Sequence, residues 1–183
     1  MSEELIVRHC SPTLAGMKTG SLFSCRCTSR QELMAELRQL NRRLVPKGLR
    51  ILPLKIWNGR ALIYVYRPSG LVKDFTDGQA RALLEERGYH TEQTEQCIMH
   101  LIERLHTAEE FPHEVGLFLG YPPEDVWAFI ENKAANQKCV GCWKVYGNEE
   151  QAKMTFARYQ KCTDIYCRQW KQGASIEHLT IAG

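Results

Sequence analysis

The chain has 183 residues, 44% hydrophobic and 25% charged, with 24 basic and 21 acidic side chains and a net charge of +3. This composition excludes a disordered chain, a collagen and a coiled coil. No run approaches the ~18 apolar residues of a membrane span, and the length suits a single α+β domain over residues 1–183.

The charge is unevenly placed. Residues 1–70 hold 12 basic and 4 acidic side chains, residues 71–134 hold 5 and 13, and residues 135–183 hold 7 and 4. One reading is self-complementarity, with a basic part packed beside an acidic helical block. The other is a basic face turned toward an anion such as a nucleotide phosphate. Arg38, Arg42 and Arg43 share one predicted helix without interleaved aromatics, so nucleic acid is not expected as a partner. The opening Met-Ser-Glu-Glu-Leu-Ile-Val has neither a basic n-region nor a long apolar h-region, so a cytoplasmic location is expected. There the eight cysteines should be mostly thiols.

In chain order, residues 9–21 carry Pro12, Gly16 and Gly20 and read as a loop, with room for one helical turn. Residues 22–27 follow as a short strand. Thr28 or Ser29 caps a helix, and Ser29 with Glu32 has capping-box spacing. Leu33, Leu37, Leu40 and Leu44 form one apolar stripe, ended by Pro46 and Gly48. Residues 49–57 and 61–66 flank Asn58-Gly59, a type I′ hairpin signal. Residues 70–134 read as an acidic helical insertion, with helices at 79–87, 94–107, 114–119 and 123–132. Residues 140–146 read as a strand, and 149–170 as the longest helix. The tail from Gly173 frays or adds an edge strand. The order β-α-β-β, helical block, β-α suits a small antiparallel sheet of ferredoxin-like type, or a different mixed sheet.

Several stretches stand out together. They are His9-Cys10-Ser11-Pro12-Thr13-Leu14-Ala15-Gly16 with Lys18 and Leu22-Phe23, the run from Phe111 to Pro122, Trp143-Lys144-Val145-Tyr146-Gly147, and Tyr159 with Lys161-Cys162-Thr163. As a group they resemble an uncharacterised bacterial family, the domain of unknown function DUF3793, over nearly the whole chain. The resemblance implies an anaerobic bacterial setting and a tilt toward redox or metal chemistry. It implies no assigned activity and no accepted catalytic residues.

Four candidate sites follow from the residues themselves. His9 and Cys10, with Thr13, Gly16 and Lys18 on the same predicted loop, could set a thiolate among electropositive groups and loop amides; the plainer alternative is a structural loop. His113-Glu114, at a predicted helix start, could act as acid and base, or simply favour the helix N-terminus. Cys139 and Cys142 are half of a zinc or iron–sulfur site, or a dithiol. Cys162 and Cys167 would lie about 140° apart around a helix, a poor second half. Lys144 and Tyr146 would share a strand face, where Lys144 could hold a phosphate or carboxylate, or be an ordinary solvated lysine.

The expectation is therefore a small cytosolic enzyme or redox or cofactor-binding protein. Its cleft would join the 9–18 loop, His113-Glu114 and Lys144. The open alternatives are a non-catalytic scaffold protein and a cysteine-ligated metal protein. Zinc, an iron–sulfur cluster, or a flavin or nucleotide are the cofactors that these residues would suit. A small-molecule anion or a redox partner protein would be the partner.

Overall fold

The computed structural model describes residues 2–183. The chain opens with helix α1 (Glu3–Leu14), whose N-cap Ser2 accepts a hydrogen bond from Leu5 N, with Glu3 and Glu4 in the first turn. This corrects the expected loop at 9–21, because the helix runs through Pro12 to Leu14. Proline lacks the N–H for an i→i−4 bond. Here it falls in the last turn, and Ile6, Val7, Cys10 and Leu14 all bury on one side. That apolar face outweighs the missing bond.

Strand β1 (Gly20–Arg26) follows, then helix α2 (Arg30–Leu44), capped by the Ser29 hydroxyl on Glu32 N. The leucine stripe lies where its spacing places it: Leu33, Leu37, Leu40 and Leu44 are all buried, each worth about 2 kcal/mol. A single 3-10 turn (Val45–Lys47) leads to β2 (Arg50–Trp57) and β3 (Arg60–Tyr66). Between them Asn58 and Gly59 adopt φ 42° and 72°, the two positive values that a type I′ turn needs. The three strands form an antiparallel sheet in the order β1-β3-β2.

Both faces of this sheet are covered, which is why β3 is apolar almost throughout. Ile63 and Val65 face one core with Phe23, the α2 leucines, Cys10 and Leu14. Tyr64 and Tyr66 face a second core, built by the helices that follow. These are α3 (Pro68–Asp74), α4 (Gly78–Glu86), α5 (Thr94–Thr107), the single turn α6 (Val115–Phe118) and α7 (Pro123–Glu131). The Tyr64 hydroxyl donates to Phe118 O at 2.6 Å and ties the sheet to α6.

The stretch expected as one strand at 140–146 is a miniature hairpin instead. β4 (Cys139–Val140) pairs with β5 (Lys144–Val145), and the two form a separate ladder that does not join the main sheet. The four-stranded ferredoxin-like arrangement is therefore not adopted. The physical reason lies at Gly141. A Cβ there would sit 2.2 Å from the Phe156 ring, so the backbone turns flat against that ring rather than continuing extended. Helix α8 (Glu149–Lys171) packs along α1. The tail is neither frayed nor a strand. Ser175 caps α9 (Ile176–Leu179), which buries Ile176 and Leu179. Among the described residues, no helix is long and apolar enough to cross a membrane.

Candidate functional site

Asp125, in the first turn of α7, organises the region that brings distant parts of the sequence together. Its buried carboxylate accepts hydrogen bonds from Tyr146 N, Gly147 N and Trp143 Nε1, each at 2.7 Å. Tyr121 OH donates to Cys142 O at 3.0 Å. The Trp143 ring lies 5.0 Å from Tyr121 and meets Phe156 of α8 edge-on at 4.5 Å. The Gly141–Trp143 turn is thus clamped between α7 and α8.

A hollow opens on each side of that turn. One, of about 580 Å³, lies between α1, β1 and α8 and is lined by His9, Lys18, Ser21, Cys142, Tyr159 and Gln160 among others. The second, of about 270 Å³ and mostly apolar, is lined by His113, Tyr121, Phe129, Val140, Trp143 and Lys144 among others. Gly141 borders both.

The expected single cleft is therefore divided. His9 and Lys18 reach one hollow, His113 and Lys144 the other, and Lys18 also borders a third hollow that holds Asp74 and Arg67. Cys10 reaches neither. It lies inside α1 with no exposed surface, and burial pushes its thiol up to about 12, against the smaller opposing pulls of Lys18 and Ser21. His9, about 100° further back around the helix, is exposed and stacks on Phe23 at 5.4 Å. Burial, with Arg8 nearby, holds its imidazole below the usual range. Thr13 is buried and shares a hydrogen bond with Ser21 at 2.8 Å, and its carbonyl accepts from Arg67 Nε. Gly16 follows the end of α1 beside the Arg67 guanidinium. Thr13, Gly16 and Tyr146 line neither hollow.

His113 and Glu114 part company. The His113 ring is exposed and lies 4.9 Å from Phe129. Glu114 is 1% exposed, paired with Arg104 Nε at 2.6 Å and accepting from Tyr89 OH at 2.9 Å. These contacts join α5 to the turn before α6. Lys144 donates to Ala134 O at 2.6 Å, with its ammonium 5.9 Å from the centre of Phe129.

Lys18 differs from the other expected cations. It is half-buried, with its ammonium 5.0 Å over the Tyr121 ring. Burial holds it below the usual lysine range. Among the described residues, no carboxylate forms a salt bridge with it. Cys142, at the tip of the turn, is exposed, while Cys139 is half-buried in β4. Among the described residues, no group of three or more His, Cys, Asp or Glu side chains is placed to hold a metal ion.

Asp125 and Ser21 escape a reading of the sequence, and Tyr121 and Tyr159 stand out there only within the stretches that carry the family resemblance. Asp125 looks like an ordinary first-turn acid. Only the fold shows that it is buried and clamps the hairpin.

Both walls of the two hollows fall within residues 6–180, which match the family model described as "Protein of unknown function (DUF3793)". The chain belongs to this family. No curated protein and no solved structure gives a significant match. Family membership thus brings no activity with it, and the chemistry of the hollows has to carry the functional reading.

Proposed function

We propose that the protein binds a small organic anion, as substrate or cofactor, in the hollow beside Lys18. The observation that carries this reading is the half-buried Lys18 ammonium in a cavity with no Asp or Glu in its lining. An ammonium withdrawn from water is costly unless paired. The cation–π contact with Tyr121 repays only part of that cost. The other polar side chains of that lining, His9, Ser21, Cys142, Tyr159, Gln160 and Thr163, include no carboxylate. A cation surrounded by neutral hydrogen-bonding groups is complementary to a carboxylate or phosphate. His9 at the rim, its imidazole held below the usual range by burial and by Arg8, supplies a proton acceptor next to such a ligand.

Thermal unfolding in the presence of phosphate, citrate, benzoate, adenosine monophosphate and flavin mononucleotide tests the reading. At least one of these anions raises Tm in the wild type. Lys18→Met weakens that anion by roughly tenfold or more, the scale of one lost charge-assisted hydrogen bond. Equal shifts in both proteins, or no shift with any anion, would contradict it.

A further inference from the structure

We infer that the anion bound at Lys18 carries a planar aromatic ring, and that this ring occupies the second hollow beyond Gly141. The inference rests on the anion-binding reading above and names its ligand class.

Three observations lead there. First, the second hollow has the walls of a ring site. Phe129, Trp143, Tyr121 and His113 present aromatic surface, and its one lysine is already bonded to Ala134 O. Aromatic walls favour stacked or edge-on rings over flexible chains. Second, the size fits. An apolar cavity of about 150 Å³ takes benzene, so about 270 Å³ takes a bicyclic ring. Third, the two hollows adjoin. Lys18 Nζ is 5.0 Å from the Tyr121 ring, and that ring is 5.0 Å from Trp143. Between the hollows stands Gly141, which borders both; the Phe156 ring takes the place a side chain would have, and the residue is otherwise exposed. One molecule with a ring at one end and an anionic group at the other can touch both sites.

Ring phosphates and ring carboxylates share this chemistry, and two probe sets separate them. Adenosine monophosphate is compared with adenosine and with inorganic phosphate. Indole-3-acetate is compared with indole and with acetate. In calorimetric titrations, at least one intact probe binds at least about tenfold more tightly than either of its halves, because the second contact is intramolecular. Val140→Trp, at an exposed position on the edge of the ring hollow, fills that hollow with little disturbance of the core. It reduces the intact probe to the affinity of its anionic half. If phosphate or acetate binds as tightly as the intact probe, and Lys18→Met still weakens it, the ring inference falls while the anion reading stands. If no probe binds, or Lys18→Met changes nothing, both fall.

Discussion

At the scale of single residues, burial decides which chemical groups remain available. Cys10 and Cys97 have no exposed surface, and burial pushes their thiols up to about 12 and about 11. Thiolate is the reacting species, so burial disfavours reaction at both in the folded protein. Cys142 is exposed at the tip of the hairpin turn, where partial burial also raises its thiol, against the opposing pull of Lys18, but reagent can reach it. Brief treatment of the folded protein with iodoacetamide therefore alkylates Cys142 while sparing Cys10 and Cys97, as read by peptide mass spectrometry. Early labelling of Cys10 without unfolding would mean that α1 does not pack as described. The same reasoning separates His113 from Glu114. Adjacent in sequence, one is exposed over Phe129, while the other is sealed in an ion pair with Arg104.

At the scale of elements, local signals are legible and tertiary ones are not. The leucine period of α2 and the Asn58-Gly59 turn declare themselves because neighbours along the chain suffice to specify them. Helix α1 is hidden because Pro12 is a local breaker, while the apolar face that overrides it is buried only by the sheet and α8. The β4–β5 hairpin is hidden because its cause, the Phe156 ring beneath Gly141, lies 15 residues downstream. The tail helix α9 is held by another distant partner. Arg43 of α2 hydrogen-bonds both Glu3 of α1 and Glu177 of α9. The Arg43 hydrogen bond holds the Glu177 carboxyl down to about 2, from an ordinary 4.5. Its folded-state affinity for protons is thus below that of the unfolded chain. The stabilisation is complete above pH 4.5 and is lost as pH falls toward 2. Urea unfolding across that window shows a shallower loss of stability in Arg43→Met than in the wild type. Parallel profiles would show that this contact contributes nothing to stability.

At the scale of the whole molecule, one buried cation draws the ends of the chain together. Arg67 is 6% exposed and donates to Thr13 O, Leu14 O and Ile181 O at 2.7, 2.6 and 2.8 Å. Two of these carbonyls end α1, where the helix dipole favours positive charge. Arg67→Met would remove three charge-assisted hydrogen bonds, while Thr13 O and Leu14 O keep those from Gly16 N and Ile181 N, and would cost about 3 kcal/mol, readable as a lower urea midpoint. An unchanged midpoint would show that the tail does not depend on it. The arginine also bears on the site, because it fixes the end of α1 from which the chain runs on to Lys18. The cations near the hollows are visible in the sequence. Their division between two hollows is not, since it depends on where a distant acid, Asp125, anchors the hairpin.

The most direct measurement is the titration of Lys18 itself, followed by NMR of ¹³Cε-labelled lysine with Lys18→Met to assign the signal. The ammonium is held below the ordinary lysine range by burial, and a bound anion favours its charged form. Lys18 is predicted to titrate below the exposed lysines in the free protein and to move upward at saturating adenosine monophosphate or indole-3-acetate. A Lys18 signal that titrates with the surface lysines and ignores both ligands would contradict the account.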